Sequence, residues 1–300
     1  MGRGAVALTD GGIETVLLFH EGFDLPCFAS FPLLEQEAGR AALRRYFEPF
    51  LDTAQALGLP FVLDTATWRA NPDWGAELGY DLDALAAANR HAVRFADELA
   101  DGRPDVTING SIGPRGDGYV VGDQMTAEQA TEYHAWQIGV LHDAGVERVT
   151  ALTLSYPEEA IGVVRAAAAM GVPVVAGFTV ETDGRLPTGA TVAAAIEQVD
   201  RATGGAAEFF IINCAHPTHI AAGIDDAPAL ERVGGMRVNA SALSHAELDE
   251  AEELDEGDPA LLARENAALR DRLPSIQLLG GCCGTDHRHV AQIVAAWDSA

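Results

Sequence analysis

Two kinds of segment alternate along the chain. Short runs rich in Val, Ile, Phe and Leu begin near Ala5, Pro60, Asp105, Arg148, Val172, Glu208, Gly235 and Ile276. Each starts apolar and ends in polar or glycine-rich residues. Longer stretches lie between them, with Ala and Leu at helical spacing and Glu and Arg interspersed: 34–57, 82–100, 127–144, 158–170, 192–202, 217–222, 259–273 and 289–297. A short apolar run bounded by turn residues predicts a strand buried on both faces, and the longer period predicts an amphipathic helix. Thr126 with Gln129, and Asp258 ahead of Pro259, are helix-start signatures.

Strands alternating with helices pair in parallel through helical crossovers. Eight such units in 300 residues predict a (β/α)8 TIM barrel, an α/β fold in a single domain spanning 1–300. An open doubly wound sheet ranks lower, because TDGGIET at 9–15 is not the phosphate-binding GxGxxG turn. No internal repeat or low-complexity linker divides the chain. Two stretches depart from a minimal barrel. Residues 19–33 form a long apolar-aromatic loop after the first strand, of a length that often serves as a lid. Residues 245–258 form an acidic run, expected to be a solvated surface segment.

Charge narrows the partners. Lys+Arg number 19 and Asp+Glu 45, for a net charge of −26. So acidic a surface argues against nucleic acid and against anionic membranes. The chain has no lysine at all, which removes Schiff-base chemistry and the Walker A lysine. No segment reads as a signal peptide or a membrane span, so a cytoplasmic location is expected, where disulfides are disfavoured.

That directs attention to the cysteines as ligands. Cys214 ends the sixth apolar run, and Cys282 and Cys283 end the eighth. The carboxyl ends of barrel strands surround the active site, so these thiols are expected to converge at the mouth. Three thiolates suit Zn²⁺, and three protein ligands leave one position open for chemistry. Glycines at 280, 281 and 284 would let backbone approach the metal. Cys27, in the long loop, is expected to be non-catalytic. His216, His219, His287 and His289 flank the cysteines, but they read better as polar contacts at helix starts than as ligands. Trp68, Trp74 and Tyr119 are candidates either for a cation pocket or for ordinary packing.

TDGG at 9–12, NGSIGP at 109–114, DGRLPTG at 183–189, NCAHP at 213–217 and GGCCGT at 280–285 together resemble the homocysteine S-methyltransferase family over almost the whole chain. The resemblance implies a (β/α)8 barrel with catalytic zinc on Cys214, Cys282 and Cys283. The substrate thiol takes the fourth position, which Asn239 could fill in the empty enzyme. It implies that Asp10 and the amides of Gly11 and Gly12 receive the amino-acid part of the substrate, with Thr153 beside it. The implied reaction moves a methyl group from a sulfonium or ammonium donor to a thiol acceptor, homocysteine yielding methionine. The expected partners are therefore a small-molecule acceptor and donor, and a homo-oligomer is compatible with the sequence. Leu152 stands where the family often has a glutamate that holds the substrate amine, and Ala66 where many members have asparagine. Another carboxylate, such as Asp64 or Glu14, would have to hold the amine, or the acceptor is a different thiol. A zinc hydrolase or lyase using metal-bound water, and a non-catalytic zinc- or thiol-binding protein, are the rival readings.

Overall fold

The computed structural model describes residues 6–251 and 253–299; Ala5, Glu252 of the acidic run and Ala300 lie outside them. Eight strands form one closed barrel: β1 (Ala7–Leu8), β2 (Phe61–Asp64), β3 (Val106–Ile112), β4 (Arg148–Leu154), β5 (Val174–Phe178), β6 (Phe210–Ala215), β7 (Val233–Val238) and β8 (Leu278–Gly281). Every neighbouring pair is parallel, and β1 closes the ring by pairing with both β2 and β8. Strands such as β2, β5 and β6 are buried along their whole length, which explains their unbroken apolar runs. β1 is brief because the chain turns at Asp10. Two bonds extend its ladder, Thr9 N donating to Leu279 O and Gly281 N to Asp10 O.

The barrel helices are α1 (Glu37–Leu57), α2 (Leu82–Ala100), α3 (Ala127–Ala144), α4 (Pro157–Met170), α5 (Val192–Thr203), α6 (Pro217–Gly223), α7 (Pro259–Ala267) and α8 (His287–Ser299). Side chains cap their first turns: Asp81 on α2, Thr191 on α5, Asp258 on α7, and a full capping box of Thr126 and Gln129 on α3. α7 is shorter than its periodicity suggests, because residues beyond Ala267 tighten into turns before β8. No helix among the described residues is long and apolar enough to cross a membrane.

Alternation along each strand divides the core in two. Leu63, Ile112, Val149, Phe178, Phe210 and Met236 face the helices. Val62, Leu152, Val175, Phe209, Ile211 and Leu278 form a second, smaller cluster inside the barrel. Above that plug the interior turns polar. Asn109 Nδ2 donates to Asp64 Oδ1 at 2.5 Å, and Asn109 Oδ1 accepts from Thr150 at 2.9 Å. A cavity of about 590 Å³, counting its open mouth, lies over this layer at the carboxyl ends of the strands. Residues 19–33 are docked against the body rather than hanging free. Leu25, Ala29, Ser30, Phe31 and Leu33 are buried, and Phe28 lines the cavity.

Candidate active site

Two strand ends are bent to aim side chains at the mouth. Thr153 on β4 and Cys214 on β6 have φ of 65° and 54°, rare for residues with a Cβ. The pairing register slips at each, between Ala151 and Leu154 and between Asn213 and Ala215. Such bulges re-aim a side chain at a barrel rim. Asn213 ties the two distortions together. Its Oδ1 accepts from Thr153 N and its Nδ2 donates to Thr153 Oγ1, both at 2.9 Å. The intervening strand must be bare for this, because a Cβ on Gly177 would lie 2.7 Å from Asn213 Oδ1.

Cys214, Cys282 and Cys283 each present a sulfur, and the three atoms lie within 4.8 Å of one another. Cys214 and Cys283 Sγ are 3.4 Å apart. The 282–283 turn is fixed from both sides. Cys282 N donates to Val238 O at 2.8 Å, and Cys283 O accepts from Ala240 N at 3.0 Å. Between those anchors on the β7 side lies Asn239, buried, with an Oδ1 that has no hydrogen-bond partner. Hydrogen bonds from Cys282, and then from Cys283 and Tyr119, hold the Cys214 thiol well below its usual pKa. Cys214 in turn pushes Cys282 up to about 12 and Cys283 well above the thiol range. Three soft donors and one orphaned carbonyl oxygen, with no protein cation among them, make a set that fits zinc.

The turn after β1 packs against the turn after β8. A Cβ on Gly12 would lie 2.6 Å from Cys282 O, and one on Gly281 would lie 1.9 Å from Thr285 Oγ1. Gly280 of β8 leaves room for the turn after β1, since a Cβ there would lie 2.4 Å from Thr9 Cγ2 and 2.9 Å from Asp10 O. The Gly11 and Gly12 amides, expected to receive a carboxylate, are engaged within the protein: Gly11 N donates to Tyr46 Oη at 3.1 Å, and Gly12 N to Thr285 O at 2.9 Å. Asp10 is similarly committed. It accepts from Tyr46 Oη at 3.0 Å and pairs with Arg237, which also pairs with Asp64. Burial raises the Asp10 carboxyl to about 6 against the pull of Arg237. Burial also opposes the charge on Arg237, but Asp10 and Asp64 outweigh it and lift its pKa above the ordinary value. Glu14 lines the same cavity, accepts from Ser30 Oγ at 2.8 Å, and is raised by burial to about 7.

A model of the homocysteine S-methyltransferase family matches residues 7–297. This chain belongs to the homocysteine S-methyltransferase family. It is accordingly an S-methyltransferase on a (β/α)8 barrel. The structure is similar to that of the homocysteine methyltransferase MmuM from Escherichia coli in its oxidized form, with a TM-score of 0.75 at 20% identity, covering 98% of this chain and 96% of that one. The metallated form of MmuM matches with a TM-score of 0.73 at 20% identity and the same coverage. At this identity the likeness speaks for the fold. A search of curated protein sequences finds no match.

Several features of this S-methyltransferase site were not legible in the sequence, where Tyr119 entered only as a candidate for a cation pocket or for packing. Tyr119 closes over the sulfurs, its Oη 2.9 Å from Cys214 Sγ, and burial followed by Cys214 raises its pKa well above normal. His245, in the run expected to be solvated surface, is 4.5 Å from the Tyr119 ring and donates from Nε2 to Cys214 O at 2.7 Å. Arg237 carried no motif signal, and Asn213 stood in NCAHP with no role assigned to it. Of the alternatives of a cation pocket and ordinary packing, Trp68 and Trp74 take packing against the chain's own cation: the Arg69 guanidinium lies 4.0 Å and 4.2 Å from these rings while donating to Gly116 O and Asp117 O. A cation of the chain already uses those faces. His216 bonds Thr218 at the start of α6, His219 bonds Ala242 O, and His289 bonds Asp286 and Glu256 O. Among the described residues, none of these histidines joins the sulfur cluster.

Proposed function

We propose that the enzyme transfers a methyl group from a cationic sulfonium or ammonium donor to the thiol of homocysteine. Cys214, Cys282 and Cys283 would hold a zinc ion, and residues 1–300 would act as one catalytic unit. The convergence of three sulfurs from the ends of β6 and β8 carries this reading. Zinc bound there supplies deprotonation of the acceptor thiol at neutral pH. In the resting protein, Asn239 would complete the ligand set with its neutral Oδ1, which has no hydrogen-bond partner.

The chain's own work is alignment and exclusion of water. The acceptor sulfur attacks the methyl carbon, the bond from that carbon to the donor heteroatom breaks, and its electron pair leaves with the donor as a neutral sulfide or amine. No side chain needs to move a proton in that step. Tyr119 and His245 shield the Cys214 side of the cluster, while Phe28 and Trp68 supply apolar cavity walls. A net charge of −26 favours encounter with a cationic donor.

The test combines metal analysis with labelled transfer. Freshly reduced protein is expected to carry one zinc per chain, and Cys214→Ser to lose it. Methyl-labelled S-methylmethionine, S-adenosylmethionine and a betaine are each offered with homocysteine. Labelled methionine from one of them supports the proposal. Zinc-loaded protein that transfers label from none of them would overturn it.

A further inference from the structure

Three carboxylates line the cavity, and the chain neutralises only two of them. Asp10 and Asp64 both pair with Arg237. Glu14 forms no ion pair with any described residue, and Ser30 Oγ at 2.8 Å is its side-chain partner. A carboxylate left without an ion-pair partner in a half-open cavity offers a place for an incoming positive group. Glu14 is two residues beyond Gly12, which packs on the carbonyl of Cys282, and it feels the charge of Cys282. It therefore belongs to the sulfur side of the cavity.

Other receptors for an ammonium are missing or occupied. Leu152 is part of the apolar plug inside the barrel. The Thr153 amide and hydroxyl are both bonded to Asn213. Asp10 is held by Arg237, Tyr46 and Thr9. We propose that Glu14 is the receptor for the ammonium group of the acceptor, and so sets the preference for an amino-thiol over a plain thiol. The proposal rests on the homocysteine reading above and adds the residue that selects the substrate. The Ser30 hydroxyl, presented by the docked loop, orients the carboxylate while its remaining lone pairs face the cavity. The loop after β1 thus acts in specificity through the side chain it steadies.

The experiment compares homocysteine with 4-mercaptobutanoate, which keeps the thiol and carboxylate but lacks the amine. Zinc-loaded wild type, Glu14→Gln and Glu14→Asp are assayed with each thiol at saturating donor and then with the donor varied, and binding of both thiols is measured by calorimetry without donor. In Glu14→Gln the ratio of kcat/KM for homocysteine over the desamino thiol is expected to fall roughly ten- to hundredfold, the loss of one charge-assisted hydrogen bond. The change is expected in the homocysteine KM and in its calorimetric Kd, with Glu14→Asp nearer to wild type. Equal effects on both thiols, or none on either, would overturn the assignment. So would a shift confined to the donor KM, which would give Glu14 to the donor's positive group instead. Wild type that binds no homocysteine would overturn the acceptor reading itself, an outcome visible before any variant is compared.

Discussion

Among the described residues, two groups have ligand atoms close enough together to hold a metal, and they differ instructively. Cys214, Cys282 and Cys283 form one; His20, Glu256 and Asp286 form the other. The first is anchored to strand ends, and its hydrogen bonds go to the Tyr119 hydroxyl and to backbone, with no ion pair inside the set. The second already contains its cation. Arg288 bonds Glu256 at 2.6 Å and Asp286 at 2.6 Å, and His20 reaches Glu256 at 3.2 Å. Its members lie on the loop after β1, the acidic run and the start of α8, and His20 and Glu256 are more than a third exposed. Proximity of ligand atoms therefore does not define a metal centre. A rigid donor set that lacks an internal counter-charge is the better candidate, and of these two groups the sulfurs meet that condition.

The sharpest way to break this contrast is to remove one donor from each group. Cys214→Ser is expected to abolish stoichiometric zinc and to lower methyl transfer at least about a hundredfold, read by elemental analysis and labelled turnover. Glu256→Gln is expected to leave zinc at wild-type stoichiometry and to change stability by no more than about 1 kcal/mol. Zinc loss in Glu256→Gln would erase the distinction.

The next effect tests the rigidity of the strand ends. Gly177→Ala would drive a methyl group into Asn213 and release the bonds that hold Thr153 and Cys214 in their left-handed conformations. Chemical denaturation is expected to show a loss of about 1–3 kcal/mol, accompanied by weaker zinc retention against a chelator. Wild-type zinc affinity in a destabilised Gly177→Ala protein would show that the bulges do not support the metal centre.

A smaller change concerns the hydroxyl over the sulfurs. Tyr119→Phe removes the 2.9 Å contact with Cys214 and leaves the ring tilted against His245. Zinc is expected to stay, with kcat/KM falling about fivefold, the worth of one ordinary hydrogen bond. An unchanged rate would make Tyr119 a wall and nothing more.

The smallest effects are in pH dependence, and the two regions should show opposite signs. Burial raises Glu14 from 4.5 to about 7, so the folded protein binds the extra proton and stability falls as pH climbs from about 4.5 to 7. Asp286 is opposed by burial, but His289 and Arg288 outweigh it and hold its pKa below the ordinary 3.8. Its contribution is present above that pH and lost as the pH drops through the folded pKa. In metal-free protein, Glu14→Gln should flatten the decline toward neutrality and Asp286→Asn the decline in acid, both read from melting temperature across pH. A steeper neutral-side decline in Glu14→Gln would contradict the sign.

The eight βα units and the helix caps at Thr126 and Asp258 were readable because periodicity, turn residues and capping are local. The three cysteines were readable as a group because strand ends of a closed barrel must meet at one mouth. The partner network was not. Arg237 lies 173 residues from Asp64 and 227 from Asp10, and nothing in RVNAS announces that it reaches across the barrel to both. His245 looked like the start of a solvated acidic run, and only the folding back of that loop put it against Cys214. Leu152 looked like a missing glutamate, whereas it packs in the barrel's apolar plug.

By itself, the sequence determined the architecture, the chemistry of the sulfur donors and the family, because each depends on local pattern or on residue type at short, specific motifs. Tertiary structure decided which polar groups remain available to a ligand. Hydrogen-bond satisfaction depends on distance through space, and the same carboxylate is a receptor or a pillar according to whether an arginine from a distant strand already holds it.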